Sequence, residues 1–202
     1  MANLFQKVEQ QAFRAGITPR SRESREWFRK KVQNMSINRR SLMRDDPIEQ
    51  KAAGAGRQRN VIGKMAMFFY DAKHKDTLPY WDAFPLIIIV GPAAKGFYGL
   101  NLHYLPIALR AKFLDSLMDY TSDNTYDENT RLLITYKRLQ KTSKMKYFKP
   151  CFKHYLTSQV EQKLAFVPSP EWEIATFLPT AQWKGAGQSV VYRNSRESIS
   201  GL

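Results

Sequence analysis

Positively charged side chains dominate the segment from Asn129 to Val160, which contains no acidic residue. Its cations are Arg131, Lys137, Arg138, Lys141, Lys144, Lys146, Lys149 and Lys153, and aromatic residues lie among them. Clustered cations bind phosphates partly because each contact releases condensed counterions, and aromatic side chains add stacking where bases are exposed. The segment therefore predicts a surface that binds a polyanion. A solvated basic face is the alternative, although protein surfaces normally mix both signs of charge.

The amino-terminal region is also rich in cations. Residues 1–60 hold 14 basic and 6 acidic residues, so they contribute +8 to a net charge of +14. Net charge concerns partners rather than fold, and this one indicates nucleic acid, a membrane surface or an acidic protein. The longest apolar run, Phe84 to Val90, is too short to span a bilayer, so we expect no membrane partner. The predicted DNA-binding residues are Arg39, Arg40, Arg57, Arg59, Lys137, Arg138, Lys141, Lys144, Lys146 and Lys149.

Groups that could perform catalysis or bind a metal are sparse. Asp71, His74 and Asp76 lie close together, but lysines alternate with them and would oppose a bound cation. Glu49 and Lys51 match half of a nuclease metal site, yet they fall in a segment without a predicted sheet to hold them. No phosphate-binding G-x-x-x-x-G-K-[ST] loop and no G-x-S-x-G motif occurs. We therefore predict a protein that is not an enzyme and binds no metal or other cofactor.

The remaining reactive residues favour structural roles. Cys151 is the only cysteine, which excludes an intrachain disulfide and a zinc site made of cysteines alone. We expect Cys151 to be a small core residue. His74, His103 and His154 are far apart in sequence and are also interpreted as structural. The opening sequence MANLFQKVEQ lacks the pattern of a signal peptide, so we expect the protein to act in the compartment where it is synthesised.

Two amphipathic helices are predicted before the main domain. Apolar residues recur at helical spacing from Leu4 to Ala15, and Gly16 ends this pattern. The segment from Ser21 to Met35 has a narrow apolar stripe, which usually packs on a partner or a polyanion. Periodicity is lost from Ser36 to Asn60, which we interpret as a linker. Residues 1–60 are thus predicted to form a basic, helical amino-terminal arm and linker.

Residues 61–180 are predicted to form an α+β core domain. Apolar, β-prone runs at 61–70, 84–90 and 96–106 predict three strands of a small, curved antiparallel sheet, either open or closed into an SH3-like barrel. The glycines of the third run suit close backbone approach or a bulge. Helices are expected to flank this sheet.

Further elements are predicted toward the carboxyl end. Pro106 and Pro150 are each expected to begin a helix. Strands are predicted at Leu132–Tyr136 and Trp172–Leu178, and residues 181–202 are predicted to be an extended polar tail. No internal repeat is found.

A family resemblance adds to this interpretation. The motifs FFYDAKHKDTLPYWDAFPLIIIVG, GFYGLNLHYLP and RAKFLDSL, with the later KYFKPCFKHYL and EWEIATFLPT, lie between about residues 59 and 196. They resemble the DNA end protector or head-completion proteins of T-even-like myophages. The resemblance implies a virion component that lies at the end of the packaged genome near the portal and shields it from host exonuclease. It brings no catalytic residues.

Two functions compete at this point. The first is a non-enzymatic DNA-binding virion protein whose partners are double-stranded DNA and portal, neck or tail subunits, within a symmetric assembly. The second is a structural tail, neck or baseplate subunit, for which Trp27, Phe28, Trp183 and Tyr192 would anchor protein interfaces, because aromatic residues are enriched there. An enzyme that acts on nucleic acid is a weaker third hypothesis.

Overall fold

The computed structural model describes residues 3–44, 61–121, 137, 141 and 146–200. Within them the helices are α1 (Leu4–Arg14), α2 (Arg22–Val32), α3 (Arg39–Arg44), α4 (Ile107–Thr121), α5 (Trp172–Phe177) and α6 (Gln188–Ser200). The strands are β1 (Met65–Met67), β2 (Trp81–Asp82), β3 (Leu86–Ala93), β4 (Gly96–Asn101), β5 (Phe152–Leu156), β6 (Ala165–Val167) and β7 (Trp183–Lys184). Short 3-10 helices occupy Leu102–Tyr104, Lys146–Cys151, Thr157–Gln159 and Ser169–Glu171. The predicted α+β class is confirmed.

A five-stranded antiparallel sheet forms the centre of the molecule, in the order β5-β4-β3-β1-β6. The predicted antiparallel pairing of the first three strands is confirmed, and a register shift between Ile89 and Gly91 marks a bulge in β3. The sheet ends at β5 on one side and at β6 on the other. The sheet is therefore open, and the predicted alternative of an SH3-like barrel is wrong. A separate antiparallel pair joins β2 to β7.

The two faces of the large sheet pack differently. One face contributes Met65, Leu86 and Ile88 to the main core, which the helices cover. The opposite face forms a smaller cluster with Phe68, Ile87 and Tyr155 among its buried members. Cys151 lies in the main core as predicted, and burial raises the pKa of its thiol to about 12. Each large apolar side chain removed from water contributes about 1.5–3 kcal/mol, so both clusters stabilise the sheet.

Both predicted amino-terminal helices are confirmed. Asn3 caps α1 and Ser21 caps α2, each within a capping box that satisfies backbone N–H groups. We expected α2 to pack on a partner, but Phe28 and Val32 instead lie in the main core together with Phe5 and Val8 of α1. Phe28 is therefore not available as a surface anchor.

Glu173 of α5 connects the amino-terminal helices to the rest of the fold. This buried carboxylate accepts hydrogen bonds from Ser24 Oγ at 2.7 Å and from the backbone N–H of Arg20 at 2.9 Å. The side chain of Arg39 on α3 donates to the carbonyl oxygens of Thr180 and Ala181. Residues 45–60 lie outside the described residues, so a domain boundary at residue 60 stays a prediction.

Two predicted elements near the sheet are wrong. Trp172–Leu178 was expected to be a strand, but it contains α5, in which every residue is buried. A short run that is buried on all sides carries no clear periodicity that separates strand from helix. The helix expected after Pro150 is instead β5, because the edge of β4 pairs with this segment. Helical spacing would place Phe152 and Tyr155 on one side, but in the strand they lie on opposite faces, so Tyr155 is buried and Phe152 is exposed. The predicted strand at Leu132–Tyr136 lies outside the described residues.

The prediction of an extended carboxyl-terminal tail at residues 181–202 is also wrong. Residues 183–184 form β7, and Gln188–Ser200 form α6. The buried residues of α6 are Val191 and Ser195, which are one helical turn apart. A single apolar residue on the buried face gave too weak a signal to predict this helix. Among the described residues, no helix combines the length and apolarity that crossing a membrane requires.

Candidate nucleic-acid interface

A pocket with a volume of about 550 Å³ opens between the segment that follows β1 and the end of β5. We call it the basic aromatic pocket. Its aromatic members include Tyr80, Trp81, Tyr104 and Tyr155, and its basic members are Lys73, His74, Lys153 and His154. Proteins that bind single-stranded nucleic acid use this combination: the cations contact the backbone phosphates and the aromatic rings stack on the bases.

A compact turn holds the outer wall of the pocket. Lys75 Nζ lies 2.9 Å from Asp71 Oδ2, and the N–H of Thr77 donates to the carbonyl of His74. The turn leaves Lys73 and His74 exposed at the rim. Asp71 therefore neutralises a neighbouring lysine. In the described part of the chain, no group of three or more His, Cys, Asp or Glu residues could hold a metal ion.

Lys153 enters the pocket from β5. Its Nζ lies 4.0 Å from the centroid of the Tyr104 ring, a cation–π contact, and burial lowers the pKa of its ammonium group. Gly99 pairs with Lys153 across the sheet. No carboxylate among the described residues lies within ion-pair distance of Lys153. Within the described part of the chain, this partly enclosed amine therefore has no acidic partner.

Aromatic rings support one another around this amine. Tyr104 packs edge-on against Trp183 with ring centroids 4.9 Å apart, and Tyr80 lies 6.1 Å from Tyr104. Tyr155 is buried and packs on Tyr70 at 5.0 Å. Tyr80 and Trp81 are half-buried, so they keep ring surface open to the pocket.

Behind the pocket, Asp82 is the centre of a buried hydrogen-bond network. Its Oδ1 accepts from the backbone N–H groups of Phe84 and Gln182, and its Oδ2 accepts from Asn101 Nδ2 and from His103 Nδ1. Burial alone would raise the pKa of Asp82, but the His103 ring and the other donors lower it below its ordinary value. Asp82 is therefore a fully paired carboxylate.

Asp82, His103 and Thr180 form a chain of hydrogen bonds like that of a hydrolase triad, but the solvent does not reach them. Burial lowers the pKa of His103, so the neutral ring donates from Nδ1 to Asp82 and accepts from Thr180 Oγ1 at 3.1 Å through Nε2. Thr180 and His103 are each 0% exposed, and Asp82 is 3% exposed. No substrate can reach the hydroxyl. The arrangement is structural, since it fixes β2 and the segment after α5 to the end of β4.

Arg110 anchors the carboxyl-terminal helix. Its buried guanidinium donates to the carbonyl oxygens of Leu105, His103 and Thr176, and to the hydroxyl of Tyr192 at 2.5 Å. Burial lowers the pKa of Arg110. A buried cation needs such acceptors to offset the loss of water. Tyr192 therefore connects α6 to the core.

The structure separates the predicted DNA-binding residues. Arg40, Lys137, Lys141 and Lys149 are exposed, whereas Arg39 is half-buried and bonded to backbone carbonyls. Lys146 lies in the 3-10 helix before β5. Arg57, Arg59, Arg138 and Lys144 lie outside the described residues. Of the predicted interface residues, Trp27, Trp183 and Tyr192 are half-buried and Phe28 is buried.

Sequence reasoning missed the pocket. Its members Lys73, His74, Tyr80 and Trp81 all come from the motif DAKHKDTLPYW, in which cations precede aromatic residues. Cations next to aromatic residues were a usable signal for nucleic-acid binding, but Asp71, His74 and Asp76 of this motif were considered only as a possible catalytic or metal site. Lys153 belonged to the acid-free segment, yet its position beside Tyr104 depends on the pairing of β4 with β5.

The fold and the site define a class: an α+β protein of strongly basic character with a pocket lined by cations and rings. The family described as Phage T4 terminal DNA protecting protein matches residues 1–197, and the chain belongs to this family. The resemblance identified from the sequence motifs is thereby confirmed. No curated protein and no solved structure matches the chain.

Proposed function

We propose that this chain is a virion protein that binds the ends of packaged double-stranded DNA and blocks exonucleases there, without catalysis of its own. The observation that carries this proposal is the family match over residues 1–197. A net charge of +14 supports it, because a protein that covers DNA must neutralise phosphates. We place it with portal and neck proteins at the completed head, in a symmetric assembly.

The described surface offers cations for such contacts. Arg40, Lys141 and Lys149 are exposed, and Lys73 and His74 add basic groups at the pocket rim. Contacts of this kind hold the DNA backbone without reading its sequence. A protein that makes six or more phosphate contacts loses affinity on the order of a thousandfold between about 50 and 200 mM salt.

An exonuclease protection assay tests the proposal. Linear duplexes of different lengths but equal numbers of ends are incubated with the protein and then digested by a processive exonuclease. We expect the amount of protein needed for protection to follow the number of ends and not the length. The competitor control is a closed circle of the same sequence. If the circle removes protection as effectively as an equal mass of linear DNA, the protein coats DNA without recognising ends, and the proposal fails.

A second candidate is a structural tail, neck or baseplate subunit that mainly contacts other proteins. Aromatic residues at the surface of the amino-terminal helices favour it, because Phe13 is 85% exposed and Trp27 is half-buried, and aromatic residues are enriched in protein interfaces. The position of the chain in the virion separates the two candidates. Density beside DNA at the portal supports end protection, whereas density among tail proteins far from the genome supports the structural subunit.

A further inference from the structure

We propose that the basic aromatic pocket takes a single unpaired nucleotide at the terminus of a DNA strand. The base would lie against the aromatic side chains, and the adjoining phosphate would bind Lys73 and Lys153. This inference rests on the proposed function and deepens it, because it names the chemical unit that marks an end and the residues that hold it.

The size of the pocket fits one nucleotide and excludes a duplex. Pockets for small ligands have volumes of about 300–1,000 Å³, and this one has about 550 Å³. Tyr80 and Trp81 offer half-buried rings, and the buried Tyr104 and Tyr155 form the floor. Every base has a π-face that can stack on such a ring, so stacking does not depend on the identity of the base. The pocket can therefore hold any terminal base.

The charge of the pocket suits a phosphate. Lys153 lies over the Tyr104 ring without a carboxylate partner in the described residues, and Lys73 is exposed at the rim. A phosphate would supply an anion for this partly enclosed amine. Asp82 is the acidic member of the lining, but it is 3% exposed and both of its oxygens already accept hydrogen bonds. It therefore does not compete for the lysines from within the cavity.

A pocket of this kind distinguishes the ends of DNA from its interior, because a terminal base loses less pairing and stacking than an internal base when it enters. An internal base must lose its pairing and the stacking on both sides before it can enter, and both losses cost free energy. A terminal base has one stacking neighbour, and an overhanging base has no pairing to lose. Affinity should therefore rise from closed circular DNA to blunt ends and rise again for ends with a short single-stranded overhang.

The first measurement compares wild-type binding to three DNAs of one sequence: a closed circle, the same molecule linearised with blunt ends, and the same molecule with short overhangs. We expect the tightest binding to the overhangs and the weakest to the circle. Equal affinity for circle and linear DNA contradicts the proposed function itself. Tighter binding to linear DNA with no gain from the overhang leaves end binding intact but overturns the nucleotide pocket.

Variants then locate the site. Lys73→Glu and Lys153→Met should each lower affinity for the overhang DNA about tenfold and change affinity for the circle much less. Lys153→Met keeps an apolar side chain in contact with Tyr104. Lys163→Ala is the matched control, because Lys163 is exposed and does not line the pocket. If both pocket variants keep the wild-type ratio of affinities, the pocket is not the site, although end protection can stand.

A wild-type experiment covers the case of an unstable variant. A duplex whose overhang ends in 4-thiothymidine is irradiated with the full-length protein, and the crosslinked peptide is identified by mass spectrometry. We expect the crosslink in the peptide that contains Tyr80 and Trp81 or in the one that contains Tyr104. A crosslink that maps only to other peptides overturns the inference, and a crosslink from an internal thymidine analogue at equal yield does so as well.

Discussion

Asp82 Oδ2 accepts a hydrogen bond of 2.6 Å from His103 Nδ1, and both side chains are buried. Asp82 belongs to β2, and His103 belongs to the 3-10 helix that follows β4. The bond therefore joins the small sheet to the large one. Because Asp82 also lies in the wall of the pocket, the same network that holds the two sheets together fixes the shape of the candidate site.

Removal of the Asp82 carboxylate should destabilise the protein strongly. Asp82→Ala leaves the buried donors of Asn101 and His103 and two backbone N–H groups without their acceptor. We expect the free energy of unfolding to fall by about 3–5 kcal/mol in urea titrations. Asp76→Ala is the control, because Asp76 is exposed, and it should change stability by no more than about 0.5 kcal/mol. Equal losses in the two variants would show that the network contributes little.

Loss of one hydroxyl should loosen α6. Tyr192→Phe removes the acceptor used by Arg110 and by Gln188 Nε2. Hydrogen bonds to charged groups contribute about 1.5–3 kcal/mol, so we expect hydrogen exchange of the α6 amides to accelerate. Tyr98→Phe is the matched control, because the Tyr98 ring stacks on Phe152 and its hydroxyl makes no hydrogen bond with the described residues. Unchanged α6 exchange in Tyr192→Phe would contradict this anchoring role.

Stability should fall as the pH rises through the neutral range because of Glu171. Burial, and then the nearby charge of Glu9, raise the pKa of Glu171 from 4.5 to about 7. Between these values the folded chain holds a proton that the unfolded chain releases, so stability present below about pH 4.5 is lost by pH 8.

Glu171→Gln removes this ionisation. Relative to wild type, the variant should gain about 1–2 kcal/mol in free energy of unfolding between pH 5 and pH 8, a value reduced for the partial exposure of the group. The exposed Glu161 supplies the control substitution Glu161→Gln, for which we expect a much smaller change. A difference between wild type and Glu171→Gln that stays constant over this range would contradict the assigned pKa.

A methyl group at Gly96 should disrupt the pairing of β4 with β5. A Cβ atom there would lie 1.9 Å from the carbonyl oxygen of Tyr155, which is backbone and cannot rotate away. We expect Gly96→Ala to lower the free energy of unfolding by about 3 kcal/mol in thermal or urea denaturation. At Gly187 a Cβ would meet no atom within 4 Å, so Gly187→Ala should leave stability nearly unchanged. The close approach at Gly96 agrees with the role predicted for glycines in this run.

Helices with one exposed and one buried side, and strands formed by β-prone apolar runs, were predictable from the sequence. The helices α1, α2 and α4 and the strands β1, β3 and β4 follow from periodicity, capping residues and β-prone runs. Helix α5 was not predictable because it is buried on every side, and α6 because its buried face contains few apolar residues. The pattern at β5 was ambiguous, and pairing with β4 decides it.

The candidate site was predictable only in its chemistry. An excess of cations with aromatic neighbours indicated a polyanion partner, and the family match agrees with that. The residues that meet at the pocket, such as Lys73, Tyr104 and Lys153, are separated by tens of positions in the chain. Their meeting depends on sheet register, which a single sequence does not specify.

Glu173 holds the amino-terminal helices through hydrogen bonds, so these helices complete their packing only after residue 173 has been synthesised. The bond from Arg20 to Glu173 spans 153 positions, so the ribosome makes α1 and α2 long before the helix that covers them. Until α5 emerges, Phe5 and Phe28 have no complete core to enter, and chains grow at about 5–20 residues per second. A product that stops before residue 172 would leave the apolar face of this cationic helix pair exposed, and exposed apolar surface promotes aggregation.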